Sequence, residues 1–373
     1  MKLVAPVKLL VDNEQKSRLL ATMVRVNAAC SWLAERAFDL KLADKIQLQK
    51  LHYREVRERF GLSSQQVIRV IGKVCEVYKR DRTKRCQFKA RGAIPYDQRI
   101  YSFKKGLDRV SLLTLEGRVV VPCAVGEHQR RLLEGKRGQA DLVYRNGAFY
   151  LYVTVDATET ALLPQKDWLG VDLGICNLAV DSDGIQHSGE QVRRLRIRTG
   201  KLRAKLQSAG TRSAKRHLKK LRRKEKAFHA HTNHVISKEV VRKAKDTGRG
   251  IALEDLEGIR DRVTVRKAQR TQLHGWSFFQ LRSFITYKGA LAGVPVGVVD
   301  PRNTSRTCPE CGCIDKMNRR SQSCFVCIRC GFAGNADYVG ARNIASRACV
   351  NVPIVTNVEV VGSHGVQLQS PVL

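Results

Sequence analysis

The chain has 373 residues, 43% of them hydrophobic, with 68 Lys and Arg against 34 Asp and Glu. That is long enough for two or three domains with a sizeable core. A formal charge of +34 is too one-sided for a merely soluble protein and suits a polyanionic partner, nucleic acid before all others. No apolar run reaches membrane-spanning length. Lys2, Lys8, Asp12 and Glu14 come too early for a secretory core, so the protein is expected in the cytoplasm, with no membrane partner.

Residues 1–11, MKLVAPVKLLV, read as a strand, and Asp12 or Asn13 can cap the helix that follows. From Glu14 to about Lys84 the pattern is helical. Leu19, Leu20, Met23, Val26, Ala29 and Leu33 mark one apolar face. Leu48, Leu51, Val56 and Phe60 mark a second, less regular one. A third begins at Ser63 and carries Val67, Val70, Ile71, Val74 and Val77. Taken alone this is a helical bundle, whose basic outer faces can also lie along a duplex. Residues 86–165 change period to short β-rich runs, with Asn146-Gly147 at a hairpin turn. A small antiparallel barrel follows, paired with the N-terminal strand and interrupted by the helices. LPQKD at 163–167 reads as a linker.

WLGVDLGICNLAVDSDGIQ (168–186) reads strand, turn, strand. Asp172 stands at the end of the apolar run Trp168–Val171. A carboxylate there either caps its turn or needs a cation, because burying it bare is costly. Residues 193–249 hold 21 Lys and Arg against 3 acidic residues. They read as two long basic helices, and i,i+4 pairing cannot neutralise such an excess, which points to phosphate contact. His229, His231 and His234 have no acidic partners nearby and read as helix surface. Ile251–Leu253 form a short buried strand, and Glu254 follows it as Asp172 follows its own. Residues 260–273 are polar, basic and expected to be mobile. HGWSFFQLRSFITYKGALAG is helical, with Trp276, Phe279, Phe284 and Ile285 towards the core, and VPVGVVD is another strand.

Cys308, Cys311, Cys327 and Cys330 form two Cys-x-x-Cys pairs with fifteen residues between them. Such pairs can wrap one Zn²⁺ as four thiolates; two disulfides are the alternative. Gly312 and Gly331 follow the second Cys of each pair, where a knuckle turn needs a residue tolerant of positive φ. The remaining cysteines are scattered without a pairing pattern, as in a reducing compartment, although Cys324 lies close enough to compete as a ligand. Four thiolates leave no open position, so this zinc is structural. Seven residues past Cys330, Asp337 opens a last helix, and the tail from Asn351 lacks periodicity and is expected to be disordered. Asp172, Glu254 and Asp337 each stand where an apolar element meets a turn. Together they can hold one or two Mg²⁺. Two such ions can activate a water and stabilise the leaving 3′ oxygen of a phosphodiester.

The motifs GVDLG with Asp172, LEDL with Glu254, HGWSF followed by YK, VDPRNTSRTCPECG, FVCIRCGF and NADYVGARNI with Asp337 resemble TnpB, the transposon-encoded family also called OrfB. They are similar to the miniature type V CRISPR effectors as well. The likeness runs from Lys2 to about Ala348, most specifically in the C-terminal half. It implies an α/β multidomain chain. A wedge β-barrel (1–12 and 85–165) would be interrupted by a helical recognition domain (13–84). An RNase H-like RuvC nuclease domain (166–303 and 335–350) would carry an inserted zinc ribbon (304–334), and 351–373 would be tail. The resemblance also implies a bacterial or archaeal RNA-guided DNA endonuclease. Its partners would be a transposon-derived guide RNA and double-stranded target DNA, with the protein a monomer or weak dimer on one RNA. Its catalytic, Mg²⁺-binding triad maps to Asp172, Glu254 and Asp337. By position, the residues reading a short target-adjacent motif map to Tyr53, Gln65, Gln66, Arg69, Ser102, Lys104 and Lys105. A non-cleaving RNA-guided regulator and a strand-transfer transposase remain alternatives.

Overall fold

A computed structural model of the chain describes residues 1–256 and 278–351. The stretch 260–273, Trp276 and the tail after Asn351 lie outside them. The chain divides into two compact units between Thr158 and Glu159.

In the first unit β1 (Lys2–Leu9) precedes three helices, α1 (Asn13–Asp39), α2 (Lys45–Phe60) and α3 (Ser64–Arg80). Then come β2 (Ile94–Tyr96), β3 (Tyr101–Phe103), β4 (Arg109–Thr114), β5 (Gly117–Ala124), α4 (Glu127–Glu134), β6 (Lys136–Arg145) and β7 (Ala148–Asp156). The strands form one sheet in the order β2-β6-β7-β1-β5-β4-β3. Its two edge strands, β2 and β3, are consecutive in sequence, with only residues 97–100 between them. Such a link spans at most about 17 Å, so the sheet must curl until its edges meet. Across the seam the Tyr101 hydroxyl of β3 donates to the Gly138 carbonyl of β6 at 2.6 Å. The result is a nearly closed barrel. Asn146 and Gly147, both at positive φ, join Arg145 to its partner Ala148 in the β6–β7 hairpin. Of the residues expected to line the apolar face of α2, Leu48 and Val56 are buried but Leu51 is 59% exposed.

The second unit runs β8 (Asp167–Asp172), β9 (Asn177–Asp181), β10 (Gln186–Ser188), α5 (Glu190–Ala209), α6 (Arg212–Asp246) and β11 (Arg249–Glu254). It continues with α7 (Phe278–Ala292), β12 (Val296–Val299), β13 (Cys324–Val326), β14 (Ala333–Asn335) and α8 (Ala336–Asn351). Its main sheet has the order β10-β9-β8-β11-β12. The first two pairings are antiparallel and the last two parallel. Successive side chains of a strand face opposite ways. Leu169 and Val171 of β8, with Ile251 and Leu253 of β11, pack with Ile236 and Val240 of α6 and Leu281 and Ile285 of α7. The opposite parity, Trp168 and Ala252, packs with Ile344 and Ala348 of α8. In α7 it is Phe278 that turns inward. Phe279, expected in the core, is 72% exposed, because one residue is about 100° of helix.

Candidate active site

Register places the first two carboxylates. Val171 of β8 lies opposite Leu253 of β11 in a parallel pair, so the next step brings Asp172 opposite Glu254, the last residue of each strand. Neighbouring strands stand about 4.8 Å apart. Both residues share the parity of Trp168 and Ala252 and therefore face α8. The carboxyl ends of parallel strands are where open α/β sheets bind ligands.

Helix α8 brings the third. Asn335, the last residue of β14, accepts from the backbone N–H of Asp337 at 2.9 Å and of Tyr338 at 3.2 Å. That caps the helix and fixes Asp337 in its first turn. One turn on, Gly340 packs against Asp172, where a Cβ would stand 3.2 Å from Oδ2. Deeper in the sheet, a Cβ on Gly170 would meet the Ala341 carbonyl at 2.1 Å. Only glycine at 170 lets α8 approach β8 so closely.

The electrostatics follow from this crowding. Burial pushes Asp172 up to about 8, and the charges of Glu254 and Asp337 push the same way against Arg319. Burial also raises Glu254, opposed by the Thr304 hydrogen bond and by Arg347 and Arg319. Asp337 accepts from Asn177 Nδ2 at 3.0 Å and lies 3.8 Å from Arg319 Nη2. All three residues are partly exposed. Two buried carboxyl groups raised by desolvation, with Asp337 close by, suit a hard divalent cation, which relieves both the desolvation and the repulsion.

A second candidate centre adjoins the first. The Cys308 and Cys330 sulfurs are 3.6 Å apart, as are those of Cys311 and Cys327. All four lie within 4.8 Å of one another. Sulfurs about 2.3 Å from a tetrahedral zinc would be about 3.8 Å apart, so the set fits one metal ion. Gly312 and Gly331 take φ of 71° and 76°, the left-handed turn that each knuckle needs. Among the described residues no other His, Cys, Asp or Glu group is drawn so close, and Cys324 is exposed on β13. Phe325 and Cys327 pack against Ala336 and Val339 of α8, so the ribbon and the helix bearing Asp337 share a core.

Other site residues were not legible beforehand. The Thr304 hydroxyl, 3% exposed, donates to Glu254 Oε1. Asn343 of α8 donates to the Thr304 and Thr307 carbonyls at 2.7 and 2.8 Å. Both contacts span dozens of residues and leave no local signal.

The basic helices form as expected. Between Arg212 and Lys226 of α6 only Ala214 and Leu221 are buried, so that half presents its Lys and Arg to solvent. His234 stacks on Phe284, with ring centroids 3.9 Å apart. In the first unit, Ser102, Lys104 and Lys105 are exposed and Tyr53 is half-buried. Gln65 donates to Asp97, and Arg69 Nε lies 3.4 Å from the same carboxylate. Gln66 has a structural role in the helix start. It is 5% exposed, and its Oε1 accepts from the Ser63 N–H at 3.0 Å, because its amide completes the capping box of α3.

Family matches fall mainly in the second unit. Residues 151–257 match a family model described as "Probable transposase" (OrfB), and residues 278–344 match one described as "Cas12f1-like, TNB domain". The CRISPR-associated endodeoxyribonuclease Cas12f1 of Sulfoacidibacillus thermotolerans is 33% identical over 219 residues, 54% of this chain and 50% of that protein. The TnpB-like protein MJ0751 of Methanocaldococcus jannaschii is 25% identical over 268 residues, 66% of this chain and 93% of that protein. The chain spans about half the length, 42–50%, of three Cas12f relatives it matches in sequence. In fold it is similar to the protein of a Cas12f1–sgRNA–target DNA complex, with a TM-score of 0.58 at 13% identity, covering 88% of this chain and 82% of that one. Among the described residues no helix is long and apolar enough to cross a membrane.

Proposed function

We propose that the chain is a member of the TnpB (OrfB) family and acts as an RNA-guided DNA endonuclease. It would bind a transposon-derived guide RNA, recognise a short motif beside the target and cut the DNA through an RNase H-like RuvC centre. The observation that supports this reading is that Asp172 and Glu254 end two neighbouring parallel strands, while the helix bearing Asp337 packs against Asp172 through Gly340. The relatives named endodeoxyribonucleases point the same way.

Asp172, Glu254 and Asp337 would hold one or two Mg²⁺, and Cys308, Cys311, Cys327 and Cys330 a structural Zn²⁺. Bound Mg²⁺ supplies Lewis-acid activation of water and neutralises the leaving 3′ oxygen. Asn177 orients Asp337 by holding one of its oxygens. Arg319, close to the same carboxylate, places a fixed positive charge where a scissile phosphate would dock. The exposed Lys and Arg of α6 take the sugar-phosphate backbone, an interaction that weakens with salt. Strand transfer is the second reading, favoured by the description of the matched family model.

The test starts from the RNA that copurifies with the protein. Once it is sequenced, a plasmid carrying its complement beside a randomised flank is incubated with the ribonucleoprotein and Mg²⁺. Linear product from the wild type and none from Asp172→Ala supports the nuclease. Equal cutting by both overturns the site, and joined transposon ends in place of linear product support strand transfer.

A further inference from the structure

We propose that Thr304 is a positioning residue for Glu254, held in place by Asn343, so that α8 sets the geometry of all three carboxylates. This rests on the nuclease reading above and extends it to residues that bind no ion themselves.

The argument is one of accounting for fixed points. Asp337 belongs to α8, and Gly340 of the same helix seats Asp172. Glu254 lies on β11 and needs another restraint, since a Glu side chain has three rotatable bonds and gains freedom at a strand end. The structure supplies one restraint in the Thr304 hydroxyl. That hydroxyl has a single hydrogen and two acceptors in reach, Glu254 Oε1 and the Pro301 carbonyl at 3.0 Å. An ionised carboxylate is the stronger of the two. A donor fixed on one carboxylate oxygen leaves the other oriented for a cation, as partners of metal ligands commonly do. Thr304 can act so only if its own backbone is fixed. Asn343, 6% exposed, provides this by donating to the carbonyls of Thr304 and Thr307, just before Cys308 opens the first knuckle. The path from Asn343 through Thr304 to Glu254 therefore lies at the entry to the ribbon.

Mn²⁺ binding, followed by loss of the free-ion EPR signal, tests this in the guide-loaded protein without any cutting. Thr304→Val keeps the shape and removes the donor; Thr304→Ser keeps the donor. The valine variant is expected to bind Mn²⁺ roughly 10-fold more weakly and to need correspondingly more Mg²⁺ for cutting. Its zinc content should be unchanged, and serine should restore wild-type binding. Thr304→Ala replaces the valine variant should that one fail to retain zinc. In a Glu254→Gln background the loss of the hydroxyl should cost no further Mn²⁺ affinity. Unaltered Mn²⁺ affinity in both hydroxyl-free variants would overturn the proposal, as would an equal loss with Glu254→Gln already present. If the wild type binds no Mn²⁺ that Asp172→Ala abolishes, the nuclease reading falls first and this one with it.

Discussion

Gly340 of α8 lies against Asp172 of β8 so closely that a methyl group at 340 would stand 3.2 Å from the carboxylate. Gly340→Ala therefore separates stability from activity. Alanine favours the helix by about 1 kcal/mol and crowding takes a similar amount back, so the melting temperature should stay within a few degrees of wild type. Asp172 must shift by a few tenths of an ångström. Small misplacements of reacting groups are expensive, and cutting should fall about 10- to 100-fold. Unchanged cutting with an unchanged melt would mean that Asp172 tolerates the shift.

Metal and protons compete at the same carboxylate. Burial and like charge raise Asp172 to about 8, against about 4 in an unfolded chain. The folded state thus binds the proton more tightly, and stability present at low pH is lost as pH rises from about 4 to about 8. Metal-free protein should melt at progressively lower temperature across that window, Asp172→Asn should flatten the trend, and Mg²⁺ should stabilise more at pH 8 than at pH 5. Differential scanning fluorimetry at matched ionic strength is the measurement. A Mg²⁺ effect independent of pH would argue against ionisation of Asp172 on binding.

The ribbon and the carboxylate centre should fail together. Cys327→Ser removes one of four clustered sulfurs and should lower bound zinc below one equivalent, together with soluble yield and cutting, since Phe325 and Cys327 share a core with α8. Cys324→Ser, outside that cluster and exposed, should retain all three. Zinc by atomic absorption, read beside the cutting assay, checks both variants.

A structural ion pair offers a contrast. Asp181 is 2% exposed and accepts from Lys243 Nζ at 2.6 Å, while Lys243 also lies 2.8 Å from Asp183. Lys243→Met strands a buried carboxylate and should cost about 2–3 kcal/mol by urea unfolding. Asp181→Asn in that background should recover part of it. Mn²⁺ affinity should remain at the wild-type value in every variant that folds.

Sequence exposed the parts of this site whose signal is local. Asp172 and Glu254 each end an apolar run, and the cysteine pairs announce themselves by spacing. Their shared placement at junctions of apolar elements and turns hinted at a joint site, and the resemblance sharpened it, while the strand register that sets Asp172 beside Glu254 is a long-range property with no local signal. Thr304 sits in a polar turn among other hydroxyl residues, and nothing nearby distinguishes the one that meets Glu254. Gly340 reads locally as a weak helix former, although its use is to leave room. The capping role of Gln66, by contrast, has a local signal. Ser63 was read as a helix start, and Gln66 three residues on completes a capping box, so the signal was present.

Asn335 ends the ribbon and starts the helix that carries the last carboxylate. During translation that carboxylate leaves the ribosome after both zinc knuckles. A nascent polypeptide that stops between residues 254 and 337 would own two of the three carboxylates and, under the proposed function, an incomplete site.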